Sequence, residues 1–448
     1  TYTGSVYDSN ADKVVIVYSD DGNSGYGTGV VFSVGSSNVA SFVGIADAGI
    51  STSATGTVVV QGGTVSDYPA LPASNSAGTP VVFETAAADK MMATFDSNEN
   101  KVVIAYQDVG NSDHGTAVVG TVSGTSVSYG TPVVFEAAAT SHIAITFDSN
   151  SNKVVIAYRD EGNSNYGTAI VGTVSGTSIS YGSPVVFSSA NSYYMGATFD
   201  SSNNKVVVAY STGTMKAIVG TVSGTSISFG TAVQFDSAST SARTVVTFDS
   251  SANKVVIGWQ DSGNSSYGTA IVGTVSGTAI SFGTEVVFED ADIYYPAATF
   301  DSNSNKVVFA YYDGGNSNYG TAIVGTVSGT AISFGTAVVF ETAQSNWNSA
   351  TFDSNTNNVV IAYRDAGNSN YGTAIDGTVS GTSISFGTAL VFEADTAAEF
   401  AATFDSNSNK VFIAYEDQGN SNYGTGVVYT SKGSPLTIGS KYYVQDDG

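Results

Sequence analysis

Two histidines, His114 and His142, and no cysteine bound the chemistry open to this 448-residue chain. Without Cys there is no disulfide, no thiolate metal site and no Cys nucleophile, while the redox compartment stays open because a secreted protein need not contain Cys. A Ser-His-Asp hydrolase would show a nucleophile elbow, and none is present; nor does a Gly-rich phosphate loop open a helix. The acidic pairs Asp290/Asp292 and Asp395/Glu399 have the groups that glycoside hydrolysis uses, but solvated loop acids are the plainer reading. The two histidines read as loop or packing residues. No catalytic residue is assigned, and the chain is read as not an enzyme.

Two further constellations recur along the chain. The turn Asp-Ser-Asn-x-Asn-Lys, at Asp96 and Asp301 for example, puts oxygen ligands at alternate positions, as the start of a calcium loop does, yet lacks the Gly and the distal bidentate Glu. A tight turn that uses Asp and Asn to satisfy backbone groups explains it without metal, so no cofactor is expected and calcium is the lesser reading. The loop Asp-x-Gly-Asn-Ser-x-Tyr-Gly-Thr, as at Asp160–Thr168 and Asp365–Thr373, repeats the same Asp in seven copies. Such identity reads as scaffold, with Gly and Asn supplying positive φ.

The most informative residues are those that differ between copies. An aromatic-Asp-Ser element recurs at Asp8, Asp96, Asp148, Asp200, Asp249, Asp301, Asp353 and Asp405, with successive spacings of 88, 52, 52, 49, 52, 52 and 52. Just before it the copies read DKMM, SHIAI, SYYMG, ARTVV, IYYPA, NWNS and AEFA, whereas elsewhere they are nearly identical. Met91, Met92, His142, Tyr193, Tyr194, Arg243, Tyr294, Tyr295, Trp347 and Phe400 are therefore the candidate ligand-binding residues: aromatic anchors with a few polar groups on loops of a rigid scaffold. The competing reading is that they plug a channel or pack between repeats.

The elements that would position them follow from the repeat. Each unit holds four strand-like runs, a (AATF), b (KVVFAYY), c (TAIVGTV) and d (ISFGTAVVF), punctuated by Gly, Asn, Ser and Asp. Val307-Val308-Phe309-Ala310-Tyr311 does not alternate with polar residues, so both faces of strand b are covered. Four-stranded antiparallel sheets of this length, covered on both sides, are the blades of an all-β β-propeller. If strands alternate direction, the d-to-a connections and b-to-c loops share one face, and the variable residues ring one mouth. The fourth copy shortens its b-to-c loop to Ser211–Lys216, which would open one sector of that face.

Eight a-b-c sets give eight blades from eight ~52-residue repeats as the simplest count, with the last copy, Gly424 to Gln445, supplying its own d strand. In the alternative, seven blades plus a small β base domain, Pro80-Val81-Val82-Phe83-Glu84 is the outer strand of the blade that starts near Ala401. The organisation is then 1–32 as a first repeat (strands a to c), 33–79 as an insertion or part of the base domain, 80–430 as propeller repeats, and 431–448 as the last outer strand or the rest of the base. Residues 33–67 would pair with 434–448.

Composition agrees: 42% hydrophobic residues, 26 Tyr and 23 Phe suit a strand-rich core. A net charge of -24, from 38 acidic against 14 basic residues, disfavours nucleic acid as a partner. No run of about 18 apolar residues would insert in a membrane. The chain begins Thr1-Tyr2-Thr3 without a leader, as a processed protein or fragment would.

The sequence ATFDSNSNKVVIAY, followed by GNSNYGTAIVGTVSGTSISFGT and VVFE, resembles the repeat arrays of hypothetical, tail-fibre and other virion proteins of marine bacteriophages, across Ser5–Phe32 and Thr79–Tyr429. Phe42–Gly62 and Leu436–Gly448 also resemble pieces that follow the array in such proteins, where they lie together; here the repeats separate them, which favours the seven-bladed alternative. More loosely, the strand order is similar to sialidase-type propellers, but the Asp-box S-x-D-x-G-x-T-W is missing, and the three arginines, Arg159, Arg243 and Arg364, give no sign of a carboxylate-binding triad. The resemblance implies an extracellular or virion adhesin, on a phage tail fibre or related appendage, that recognises a host-surface glycan or protein. A structural spacer or filament subunit assembling through its termini is the alternative, and a secreted glycosidase is a third.

Overall fold

A computed structural model describes residues 74–237 and 243–433 in full; of the remainder it describes the strand backbones Gly4–Asp8, Lys13–Asp20, Tyr26–Ser33, Ser41–Ala46, Val58–Val60, Gly63–Val65 and Lys441–Val444. The chain divides into two units, Asn75–Lys432 and the pair of segments Thr1–Ser74 with Gly433–Gly448.

The larger unit is a β-propeller, and one blade shows how the repeat builds it. Ile293 to Asp301 pairs antiparallel with Lys306–Asp313, which pairs with Tyr319–Ser328. The free edge of Tyr319–Ser328 takes a split fourth strand, Ala331–Phe334 and then Val338 to Gln344. That last segment does not stop: Val338–Asp353 is one 16-residue strand, the outer strand of this blade and the innermost of the next. Seven such sheets follow one another among the described residues.

The core lies between blades, because each sheet packs on two neighbours. Val307, Val308, Phe309, Ala310 and Tyr311 are all fully buried, as expected of a strand covered on both faces. One apolar cluster joins Val308 and Ala310 to Val359, Ile361 and Tyr363 of the following blade. Five buried tyrosines staple blades together by donating to an acid on the preceding blade's outer strand: Tyr106 to Glu84, Tyr158 to Glu136, Tyr311 to Glu289, Tyr363 to Glu341 and Tyr415 to Glu393, at 2.7 to 3.0 Å. Where the tyrosine becomes Trp259, the acid is one methylene shorter: the Trp259 indole donates to Asp236 at 3.2 Å.

The eight-bladed expectation needs correcting at both ends. Val81, Val82 and Glu84, which that count gives to the first repeat, pair with Gly426, Thr425 and Gly424 of the last one. A cluster joining Val102, Ile104 and Tyr106 to Phe412, Ala414 and Val428 buries the resulting seam. Lys441–Val444, expected as the last repeat's own outer strand, pairs instead with Ser41–Ala46. The reason is that the outer strand of one blade and the inner strand of the next are continuous, so the d strand ahead of the first described blade has only the last blade's open edge to join.

The entry and exit of the ring are fastened by residues that depart from the repeat. Asp376 stands where Val324 stands in the preceding copy, and it accepts from the Tyr429 hydroxyl and from the Lys432 backbone N–H, both at 2.8 Å. Asn358, in the place of Lys306, donates to the Lys432 carbonyl at 2.7 Å. Asn75 donates to Tyr429 Oη at 3.0 Å.

In the smaller unit, Gly4–Asp8, Lys13–Asp20 and Tyr26–Ser33 form a three-stranded antiparallel sheet in the a-b-c order of the blades. Lys441–Val444, Ser41–Ala46, Val58–Val60 and Gly63–Val65 form a second sheet of four strands.

Candidate functional site

The site starts from a repeated irregularity in the inner strands. In six blades the pairing of inner strand and strand b skips two residues: Lys90-Met91, His142-Ile143, Tyr194-Met195, Tyr295-Pro296, Trp347-Asn348 and Glu399-Phe400. The first residue of each pair has a left-handed backbone, φ +50° to +52°. A non-Gly residue in that conformation is sterically disfavoured, and a β-branched or bulky one is a genuine outlier. All of these residues, with Arg243, lie six positions before the Asp of the ATFD element, one per blade: Lys90, His142, Tyr194, Arg243, Tyr295, Trp347 and Glu399.

The recurrent b-to-c loop holds this bulge in place. Each complete loop ends in two successive left-handed residues, Ser164-Asn165 for example. The carbonyl of the second accepts from the N–H two residues before a ring residue: Asn422 from Ala88, Asp113 from Thr140, Asn165 from Ser192, Ser266 from Ile293 and Asn370 from Ala397, at 2.9 to 3.1 Å. The loop Asp is a cap, as its recurrence suggested: Asp108, Asp160, Asp365 and Asp417 each accept from the backbone N–H three residues on. The short loop Ser211–Lys216 has positive φ only at Gly213 and no Asn. The ring residue after it is Arg243.

Residues from all seven inner strands line one depression of ≈180 Å³ at this mouth. His142, Tyr194, Arg243, Tyr295, Trp347 and Glu399 form its wall, and residues that follow a ring position, Met91, Met195, Thr244, Pro296, Asn348 and Phe400, form its floor, with Met92 at the edge. Met91 and Phe400 are buried in inter-blade clusters, as the packing reading expects of them, and Glu399, the residue before Phe400, lines the depression. Tyr193 and Tyr294 do not line the depression. Tyr193 lies beneath the Arg159 guanidinium at 4.7 Å and Tyr294 sits edge-on to Tyr312 at 5.2 Å.

The wall is a chain of contacts between unlike side chains. The Arg243 guanidinium lies 3.9 Å from the Tyr295 ring centre, Tyr295 is 5.0 Å from Trp347, and Arg364 stacks on Trp347 at 5.1 Å. The Trp347 indole donates to Glu399 at 2.8 Å, and Lys90 reaches Glu399 at 3.3 Å and Asp89 at 2.9 Å. Across the mouth, His142 meets Tyr194 edge-on at 4.8 Å. Burial pushes the Glu399 carboxyl above the usual range despite the pull of Lys90. Burial, aided by the Arg159 and Lys90 charges, lowers His142 to about 4, so its imidazole is neutral at pH 7.

Sequence reasoning missed Lys90 and Glu399 as ring members, and missed that all three arginines stack on aromatic side chains of the variable segments. Counting six residues back from each ATFD Asp would have found the first two; no one-dimensional signal marks the arginines. Of the acidic pairs, Asp290 and Asp292 are exposed, and Asp395 is exposed while Glu399 is enclosed by Trp347 and Lys90. In the calcium-like turns the Asp is committed to backbone: Asp96 Oδ1 accepts from Asn98 and Glu99 N–H at 2.9 and 3.0 Å, and Asp301 does the same for Asn303 and Ser304. Among the described residues no group of three or more His, Asp or Glu is placed to hold a metal ion.

No protein family and no curated protein matches the chain. Solved structures of similar fold include the BP39L lectin from Burkholderia pseudomallei, with TM-score 0.56 and 12% identity over 80% of this chain and 99% of that one. The Cps50 (Swd1) β-propeller domain of Myceliophteria thermophila has TM-score 0.52 and 9% identity over 79% and 100%. A protein of unknown function from Dyadobacter fermentans has TM-score 0.50 and 11% identity over 80% and 99%. These likenesses establish the β-propeller fold.

Proposed function

We propose that the chain is a non-enzymatic adhesin whose propeller mouth binds a host-surface glycan, on a phage tail fibre or related extracellular appendage. One observation carries the reading: nearly identical repeats hold six different residue types at seven aligned positions, six of those positions in a left-handed backbone, and six of the seven residues line one depression. A scaffold free to choose would place Gly at such a position, so unlike side chains kept there at a backbone cost point to use. Tyr and Trp beside polar groups suit the alternating apolar and hydroxylated faces of sugars. The lectin among the fold neighbours supports the class of ligand, and the phage setting rests on the resemblance of the repeat. The test is a glycan panel with the full chain and a Tyr194→Ala, Tyr295→Ala, Trp347→Ala variant. Binding lost with the fold intact supports the adhesin; binding unchanged by the triple variant refutes this mouth.

A second reading, a structural subunit that assembles through its ends, is favoured by one count. Gly4–Ser33 supplies an eighth a-b-c set, and among the described residues Tyr26–Ser33 pairs only with Lys13–Asp20. An open edge of that kind is a template for another chain's strand. Deleting residues 1–32 would abolish self-association in this reading and leave glycan binding untouched in the first.

A further inference from the structure

Within the glycan reading, and resting on it, we infer a narrower ligand class: the depression takes a single sugar ring bearing a carboxylate, which Arg243 holds. The molecule is strongly acidic at -24, yet each of its three arginines stacks on an aromatic side chain of the variable segments, and of the three Arg243 lines the depression. They are not equally free. Arg159 Nε donates to Asn165 Oδ1 at 3.1 Å and Arg159 also approaches Glu161 at 3.9 Å, and Lys90 is held between Asp89 and Glu399. Arg243 lines the depression itself, and among the described residues its guanidinium makes no hydrogen bond or ion pair.

Stacking occupies the face of the Arg243 guanidinium and leaves its in-plane N–H donors for a planar, two-oxygen acceptor, which a carboxylate matches in bidentate fashion. Glu399, the acid on the wall, is already committed to Lys90 and the Trp347 indole, so it does not neutralise Arg243. A second observation points to a sugar and not a bare anion. Asn348 on the floor is 8% exposed; its Nδ2 donates to the Tyr295 carbonyl, while its Oδ1 is buried without a partner. A buried acceptor of this kind calls for a hydrogen-bond donor, which a sugar hydroxyl supplies and a fully ionised anion such as sulfate lacks. The volume, ≈180 Å³, lies below the range of about 300–1,000 Å³ usual for drug-sized ligands and suits one ring.

The test is calorimetry on the full chain with matched methyl glycosides: glucuronide, galacturonide and N-acetylneuraminide against glucoside and galactoside, with glucose 6-sulfate and inorganic sulfate as further arms. At least one carboxylated sugar should bind about tenfold or more tightly than its neutral match, and Arg243→Gln should remove that preference, with Arg243→Lys as a second variant should the first unfold. Neutral sugars bound equally well, with Arg243→Gln inert, would overturn the inference and leave the glycan reading standing. Glucose 6-sulfate or sulfate bound as tightly as the carboxylated sugars, and equally dependent on Arg243, would replace the carboxylate sugar with a general anion site. No binding in any arm would overturn both readings.

Discussion

The Trp347 indole N–H donates to Glu399 Oε1 at 2.8 Å although the two residues are 52 positions apart, the length of one repeat. They hold the same place in successive copies and meet only because the inner strands converge at the mouth. The contact joins two aligned members of a ring whose members are otherwise free to differ.

The left-handed backbone at the ring makes the proposed recognition separable from packing by experiment. Trp347→Gly or Tyr295→Gly should relieve strain of roughly 1 kcal/mol and, after loss of side-chain contacts, leave the thermal midpoint within a few degrees of the parent. Glycan binding should be lost. A large fall in the midpoint, read by calorimetry, would instead make these side chains plugs.

The blade staples predict coupled substitutions. Tyr363→Phe removes the phenol donor to Glu341 and leaves one interaction of a half-buried carboxylate unmade, at about 1–3 kcal/mol. Trp259→Tyr should cost a similar amount alone, because Asp236 is too short for the phenol. Adding Asp236→Glu should recover much of it, and urea melts of the single and double variants would measure the coupling.

The seam depends on residues outside the repeat pattern. Asp376→Val restores the residue of the neighbouring copy yet removes the acceptor of the buried Tyr429 O–H and of the Lys432 N–H, so consensus here should destabilise by about 2–4 kcal/mol. Proteolysis should then begin near residues 75 and 432.

Stability against pH combines two opposed trends. Burial raises the Glu289, Glu341, Asp313, Asp365 and Asp417 carboxyls, so the folded state holds protons that the unfolded state releases just above the ordinary carboxylate range. Stability rises as pH falls through that window. His142 acts oppositely: between 6.5 and about 4 the unfolded chain binds the extra proton, so stability falls as pH falls. His142→Gln should therefore be relatively more stable than the parent at pH 5 than at pH 8, and thermal midpoints across that range would check the sign.

Strand content, blade length and the variable segment were legible in the sequence, because doubly covered strands such as Val307–Tyr311 and copies within one chain carry that information openly. The choice between neighbours was not. A two-residue bulge decides that Glu399 faces the mouth and Phe400 the core, and the bulge depends on a carbonyl in another blade, that of Asn370. Pairwise compensation is also hidden in a single strand: Phe309, where other copies have Ile or Val, occupies the space left by Gly258, at which a Cβ would lie 2.3 Å from its ring. The stacking of Arg159 on Tyr193 and of Arg243 on Tyr295 is likewise a property of blade packing, since each pair comes from neighbouring blades.

Val81–Asp96 closes the circle with its first half and opens the next blade with its second, so both closing partners sit at the ends of the array. Whole 52-residue units gained or lost between them, as tandem DNA repeats do by misaligned recombination, keep every strand in phase and leave no edge exposed. Each unit brings its own ring residue, six of the seven on a bulge. Recombination among the copies would therefore edit the mouth one residue at a time, leaving the scaffold that presents it unchanged.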